Sequence, residues 1–203
     1  MTLKVANESY VASYTSAEIV CNISSEATIK QVYLQYSTMQ DFGDYDEVEM
    51  QGENGLYRVQ LTDLQDNTIY YIRYAASNRF SFIIGNEVDQ FQTLAPTAPS
   101  IVFDTISIVW DTYANVKLHL EFDGGSQISE MGICWNTQTA PIVENNELTT
   151  KDTVAVLEIK DLQPNTQYFV RAYATNKVGV AYSEEYEFTT FSLPEIKTED
   201  IDF

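Results

Sequence analysis

Histidine and cysteine, which most often supply catalytic bases, nucleophiles and soft metal ligands, are scarce in this sequence. His119 is the single histidine, and Cys21 and Cys134 are the two cysteines. A Ser-His-Asp or Cys-His arrangement needs a base with an orienting partner. A zinc site needs about four Cys or His ligands at short spacing. These residues supply neither, so we expect no enzyme activity and no cofactor.

One acidic segment carries the oxygen ligands that calcium prefers. Its five carboxylates belong to Asp41, Asp44, Asp46, Glu47 and Glu49, with no basic residue among them. Their spacing does not match an EF-hand, and two aromatic residues interrupt it. A solvated acidic loop is the favoured interpretation. Asp41, Asp44 and Asp46 remain a weak candidate for a calcium site.

A second segment, Asn78–Gly85, combines an arginine with aromatic and aliphatic residues, the types enriched in binding hot spots. The candidates for partner binding here are Arg79, Phe80, Phe82 and Ile84. In an extended chain Phe80, Phe82 and Ile84 share one face and Ile83 takes the other, so at least one lacks a core to enter. The alternative is a long hairpin packed on neighbouring structure. Trp110 and Tyr113, expected at the start of a strand, form a weaker second candidate.

The charge balance excludes some partners. The chain has 30 acidic and 11 basic residues, a formal net charge of −19, which repels nucleic acid and anionic membranes. No apolar run approaches the ~18–20 residues of a membrane span, so we expect no membrane insertion.

Residues 2–8 lack the basic start and apolar stretch of a signal peptide. Either the chain is part of an exported protein or it is made in a cytosol.

An internal repeat covers nearly the whole chain. Residues 63–73, DLQDNTIYYIR, recur as DLQPNTQYFVR at 161–171. Within each copy the apolar period is two, as where Leu118 and Leu120 alternate with Lys117 and His119, and turn signals separate the runs. Short alternating strands in a unit of about 100 residues predict a two-sheet sandwich.

Residues 162–179 resemble the E–F corner, strand F and F–G turn of a fibronectin type III domain. Leu162 and Tyr168 match the tyrosine corner, in which the hydroxyl bonds to the chain just upstream. Residues 123–125 (DGG), 131–135 (MGICW) and Pro141 resemble a variant abundant in gut-bacterial surface proteins. The first copy departs from this pattern, since it lacks the DGG and has Ser81 in place of Gly179.

The resemblance implies an all-β chain of two tandem fibronectin type III-like, immunoglobulin-like β-sandwich domains, at 1–94 and 95–191. Residues 192–203 are a tail or linker that either opens a third repeat or docks as a terminal strand. Each domain then holds one cysteine, which excludes an internal disulfide. Cys21 is expected in the core. If Trp135 packs inward, Cys134 lies on the outer face, where reaction or partner contact is one interpretation and a purely structural residue is the favoured one.

Domains of this kind commonly serve as scaffolds, which favours a non-catalytic structural or adhesive protein displayed on a surface. That surface is either a bacteriophage virion, with the chain as a capsid or tail decoration, or an extracellular bacterial cell surface. The expected partners are proteins on it. The alternative is a glycan-binding accessory module of a polysaccharide-utilisation system, which needs exposed aromatic rings.

Overall fold

The computed structural model describes residues 2–194, and every regular element among them is a β-strand. The chain divides into two compact units between Pro96 and Thr97. Within the described range no helix has the length and apolar character to cross a bilayer. Of the predicted tail, 192–203, residues 195–203 lie outside the described part of the chain.

Unit 1 consists of two antiparallel sheets. The first has the order β1-β2-β6-β5, and the second has β4-β3-β7, with β8 and β9 both on the far side of β7. The strands are β1 Leu3–Ala12, β2 Ala17–Ser25, β3 Gln31–Ser37, β4 Asp46–Glu49, β5 Gln51–Glu53, β6 Leu56–Leu61, β7 Ile69–Ser77, β8 Phe82–Ile84 and β9 Asp89–Gln92.

Unit 2 repeats this arrangement with one strand fewer. Its sheets have the orders β10-β11-β14 and β13-β12-β15-β16, with β17 also on β15. The strands are β10 Ser100–Val109, β11 Ala114–Phe122, β12 Glu130–Asn136, β13 Asn146–Thr150, β14 Val154–Ile159, β15 Gln167–Asn176, β16 Gly179–Tyr182 and β17 Tyr186–Thr189. The described part of unit 2 has no counterpart of β5.

Each unit has its own apolar core between its two sheets. In unit 1 the alternation of β2 buries Ile19 and Cys21 against Ile72 of the facing sheet. In unit 2 Val116 and Leu118 of β11 are buried in the same way. In the lettering of the immunoglobulin fold, A, B and C are β1, β2 and β3 of unit 1 and β10, β11 and β12 of unit 2. E and F are β6 and β7 or β14 and β15, G is β8 and β9 or β16 and β17, and D is β5. Two antiparallel sheets with the order A-B-E, with or without D, facing C-F-G form an immunoglobulin-like sandwich. The predicted fold class, two fibronectin type III-like sandwiches in tandem, is confirmed.

The tyrosine corners are confirmed in both units. The Tyr70 hydroxyl accepts a hydrogen bond from the Gln65 N–H at 2.8 Å, and Tyr168 accepts one from Gln163 at 2.9 Å. Asp and Asn flank each corner in the left-handed backbone region, with φ of 59° at Asp63 and 57° at Asp161. These residue types tolerate that conformation because their short polar side chains bond locally. The repeated motif therefore encodes a repeated turn.

The last strand of each unit ends in a set of hydrogen bonds that we call the exit clasp. In unit 1 Leu94 donates to the Ser13 carbonyl at 2.9 Å and accepts from the Asn67 N–H at 3.0 Å. In unit 2 Phe191 makes the equivalent bonds to Trp110 and Asn165, at 3.2 and 3.1 Å. The clasp ties the departing chain to both the A–B turn and the E–F corner of its unit.

The outer face of the second sheet in unit 2 is less exposed than its alternation predicts. Cys134 and Tyr173, which point away from the core, are fully buried. The Cys134 thiol lies 3.5 Å from the Pro141 carbonyl, because the connection between β12 and β13 folds over this face. Burial raises the pKa of Cys134 to about 11, so the group is a protonated thiol at neutral pH. Cys134 points to the outer face as predicted, and its burial agrees with the favoured structural interpretation rather than with a reactive thiol.

Cys21 lies in the core as predicted, and burial raises the pKa of its thiol to about 11. Both cysteines are free thiols.

Candidate recognition surface

The turn between β7 and β8 is held open by one asparagine. The Asn78 side-chain oxygen accepts hydrogen bonds from the N–H groups of Phe80 at 2.8 Å and Ser81 at 2.9 Å. The Asn78 N–H also donates to the Ser81 carbonyl at 3.0 Å. This bonding satisfies the turn backbone locally. It leaves the Phe80 side chain at the tip of the turn, 94% exposed.

The pairing of β8 with β7 decides which way its side chains point. Ile83 lies opposite the buried Ala76 and therefore faces inward, whereas Phe82 and Ile84 face outward opposite Ser77 and Ala75. The predicted separation of Phe82 and Ile84 from Ile83 is confirmed. The prediction that Phe80 shares their strand face is wrong, because Phe80 precedes the strand and belongs to the turn.

The outward side chains of β8 extend an apolar stripe across the sheet. Phe82 is 50% exposed, and its ring lies 5.8 Å from that of Tyr33 on β3. Ile84 is 40% exposed beside it. Sequence reasoning missed Tyr33, which belongs to a strand distant in sequence and joins the stripe only through the sheet register.

A groove of about 570 Å³ separates this turn from the connection between β2 and β3. Arg79 and Phe80 line one side of the groove, and Ile29 and Lys30 line the other. Neither Lys30 nor Arg79 forms an ion pair within residues 2–194. An acidic chain thus presents two cations and an exposed aromatic ring at one end of its first unit.

The second predicted site, Trp110 and Tyr113, lies in the turn before β11 rather than at the start of that strand. The Trp110 N–H donates to the Tyr113 carbonyl at 2.8 Å, and the two rings stack with centroids 6.2 Å apart. The Phe191 ring meets Trp110 edge-on at 6.3 Å. Trp110 is half-exposed, but its carbonyl also belongs to the exit clasp. Trp110 therefore has a structural role in holding the end of unit 2, besides presenting a half-exposed ring.

The acidic segment does not form a metal centre. Among residues 2–194 no three His, Cys, Asp or Glu side chains are placed to hold a metal ion. Asp41 instead accepts the Gly43 N–H at 3.0 Å. Asp46 and the two following acids lie on β4, where Glu47 accepts a hydrogen bond from Gln35 at 2.7 Å. The weak calcium candidate of Asp41, Asp44 and Asp46 is not brought together, and half of the predicted loop is a strand.

His119 forms an isolated surface pair. Its Nδ1 lies 2.7 Å from an Asp104 carboxylate oxygen on the neighbouring strand, with the imidazole side chain 37% exposed. Both cysteines are buried and protonated, so neither offers this imidazole a nucleophile.

No family model matches the chain. Among solved structures, a segment of two fibronectin type III domains from chicken tenascin is similar, with 16% identity over 94% of this chain and 97% of that one, at a TM-score of 0.34. A computationally redesigned β-sandwich protein is similar at 22% identity over 47% of this chain and 93% of that one, also with a TM-score of 0.34. At such values neither likeness adds to the fold assignment, which follows from the strand order and the tyrosine corners.

Proposed function

We propose that this chain is a non-catalytic binding module, displayed on a surface, that recognises a protein partner through the B–C and F–G loops of unit 1. The observation that carries the proposal is Phe80, which is 94% exposed at the tip of a turn fixed by Asn78. Loops on a rigid sandwich are a common place for recognition. An aromatic residue held in water by a preformed turn is suited to insertion into a partner.

The energetics of this surface favour a particular kind of partner. Burying an exposed Phe side chain contributes roughly 1.5–3 kcal/mol. A turn that is already ordered loses little conformational entropy on binding. Lys30 and Arg79 flank the groove without ion-pair partners among the described residues. The complementary surface therefore carries an apolar pocket bordered by carboxylates.

Two settings fit a display module of this kind, a bacteriophage virion and a bacterial cell surface. Unpaired, protonated thiols suit assembly in a reducing cytosol, as for a virion component. The DGG turn of unit 2 resembles repeats of bacterial surface proteins. Binding to purified virions and to cell envelopes, measured in parallel, separates the two.

The test of the site is the double substitution Phe80→Ala with Phe82→Ala. We expect binding to the native surface to weaken by at least ~2 kcal/mol, the scale of a hot spot. Since both side chains are at least half exposed, the melting temperature should change little. Val178→Ala, at the corresponding turn of unit 2, is the matched control and should leave binding unchanged. A large loss of stability with unchanged binding would show that these residues are structural.

The second candidate function is glycan binding at the cluster of Trp110, Tyr113 and Phe191. The observation favouring it is that the Trp110 and Tyr113 rings lie within 25° of parallel and Trp110 is 50% exposed, so a sugar ring has a face to stack on. Titration with polysaccharides, followed by tryptophan fluorescence, tests it. A response that Trp110→Ala abolishes and Phe80→Ala leaves intact would move the function to this site.

A further inference from the structure

Strand β14 of unit 2 has one side that no other described strand covers. It pairs only with β11, in the three-stranded order β10-β11-β14. In unit 1 the corresponding strand, β6, lies between β2 and β5 and is paired on both sides. Because residues 97–194 contain no counterpart of β5, the second side of β14 is a sheet edge within the described part of unit 2.

The phase of the hydrogen bonds shows which backbone groups face that edge. The Leu120 N–H donates to the Thr153 carbonyl across the β11–β14 ladder at 2.8 Å. Along an antiparallel strand, backbone groups point alternately to either side. Thr153 and the alternate residues after it consequently face β11. The N–H and C=O groups of Val154, Val156 and Glu158 face outward.

The side chains make this edge apolar as well as open. Val154 and Val156 are 62% and 61% exposed, and Val154–Ile159 contains neither proline nor glycine. The other edge strand of the same sheet, β10, is interrupted by three register shifts, whereas β14 pairs with β11 in unbroken register. Bulges of that kind blunt an edge against further pairing. A regular apolar edge without them is a template for another strand.

The charges at the two ends of β14 indicate which strand would pair with its open edge. Asp152 precedes the strand and Lys160 follows it, and both are exposed. The Lys160 ammonium lies 3.1 Å from the Glu158 carboxylate of its own strand, in an exposed ion pair that can open at little cost. In an antiparallel pair of two β14 strands with Val156 opposite Val156, each Asp152 lies opposite Lys160 of the second copy. This register also joins the outward backbone groups of Val154, Val156 and Glu158. The edge is thus complementary to itself in both hydrogen bonding and charge.

We propose that β14 pairs with β14 of a second copy of this chain, antiparallel about a two-fold axis at Val156, to form one continuous sheet. A two-fold contact is self-complementary and closes at two copies. Two chains of net charge −19 repel each other at long range, so the dimer is weak and depends on salt. It should be more populated at ~0.15 M than at ~0.01 M ionic strength, because the Debye length falls from about 30 to about 8 Å.

The first experiment is sedimentation equilibrium on the full chain, with amide hydrogen exchange at low and high concentration. We expect a concentration-dependent dimer in which exchange slows at Val154, Val156 and Glu158. Val156→Lys places like charges opposite each other and should weaken the dimer at least ~10-fold. Val11→Lys makes the same charge change at a 72% exposed valine of unit 1 and should leave the dimer affinity unchanged. A chain that stays monomeric up to about 1 mM overturns the proposal.

The second experiment tests the register by exchanging charges. Lys160→Asp and Asp152→Lys should each weaken the dimer by roughly 3- to 10-fold, since each creates two like-charged pairs across the axis. The two changes together restore both pairs and should return the affinity to near its original value. Asp152→Lys lowers the net negative charge, so tighter association of that variant would indicate general repulsion and overturn the register. A double variant that dimerises no more tightly than either single variant would also overturn the register.

Discussion

The same end of the two sandwiches is built in opposite ways. In unit 2 the Asn176 side chain is 4% exposed, and its Nδ2 donates to the carbonyls of Thr97 at 2.7 Å and Asp123 at 2.9 Å. It thereby ties the F–G turn to the B–C turn and to the start of the unit. In unit 1 the equivalent Asn78 bonds to its own turn, and the groove beside Phe80 remains. The Asn176 side chain closes the loop end of unit 2, whereas a groove lies between the two loops at the same end of unit 1.

Glycine explains why only unit 2 closes. Gly124 has a φ of +78°, and a Cβ there would lie 2.1 Å from the Thr97 carbonyl oxygen and 2.7 Å from Asn176 Nδ2. Only a residue without a side chain allows this approach. The corresponding connection of unit 1, residues 26–30, is two residues shorter and contains no glycine, and a groove lies between it and the turn after β7. The departure of the first copy from the DGG pattern is thus the sequence origin of the groove.

The largest expected effect is on the closed end. Asn176→Ala removes a buried side chain that donates to the carbonyls of Thr97 and Asp123 and accepts the Val178 N–H at 2.8 Å. We expect the free energy of unfolding of unit 2 to fall by about 2–4 kcal/mol. Both tryptophans, Trp110 and Trp135, belong to unit 2, so fluorescence during denaturant unfolding reports on that unit.

Asn78→Ala is the counterpart in unit 1, where it removes the acceptor of the Phe80 and Ser81 N–H groups. We expect a smaller loss than for Asn176→Ala, because those two N–H groups lie in an exposed turn. Amide exchange in the β7 strand would measure it. Equal losses in the two units would remove the distinction between a closed and an open end.

The tyrosine corners should respond alike, which checks that the difference is confined to the loops. Tyr168→Phe and Tyr70→Phe each delete the acceptor of one upstream N–H. We expect a loss of roughly 1–3 kcal/mol in the unit concerned, with the fold retained. Denaturant melts that overlay the parent protein would contradict the shared corner, and a loss in one unit alone would extend the asymmetry to the corner.

The smallest expected effect is a pH dependence specific to unit 1. Tyr74, at the repeat position of Ala172, donates its hydroxyl to Glu8 on β1. Burial, with Asp89 and Glu87 nearby, raises the pKa of Glu8 above its ordinary value of 4.5. The folded state therefore binds the proton more tightly than the unfolded state, and this stabilisation is lost as pH rises through the folded pKa.

We expect Glu8→Gln to reduce the fall in unit 1 melting temperature as pH rises from about 4 to about 7. The tryptophan-detected melt of unit 2 is the internal control for the general effect of net charge. An identical pH profile in the parent and the variant would contradict the assignment.

The fold could be predicted because its information is local. The corner motifs, the period of two and the DGG turn each specify backbone geometry within a few residues. What could not be predicted depends on contacts between distant segments. Alternation places Tyr173 on the wet face, but its hydroxyl lies 3.0 Å from both Glu130 and Glu147 on two neighbouring strands.

The candidate site follows the same rule. Arg79, Phe80, Phe82 and Ile84 could be selected by residue type, whereas the roles of Lys30 and Tyr33 depend on sheet register and on the spacing of two loops. That no strand of residues 2–194 covers the second side of β14 was not predictable either, since residues 146–150 satisfy the pattern of a strand for either sheet. Their pairing with β12 decides the matter.

The exit clasp has a mechanical consequence. Tension applied to the chain that leaves unit 1 reaches Leu94 first, where two backbone hydrogen bonds to Ser13 and Asn67 share the load. Behind them the Thr93 hydroxyl donates to the Gln65 carbonyl at 2.7 Å, and Thr190 does the same to Gln163 at 2.6 Å in unit 2. These bonds lie between the applied force and the final strand, so β9 and β17 cannot peel away until their clasp has ruptured. A tethered protein of this design resists pulling at its point of exit before any of its sheet is disturbed.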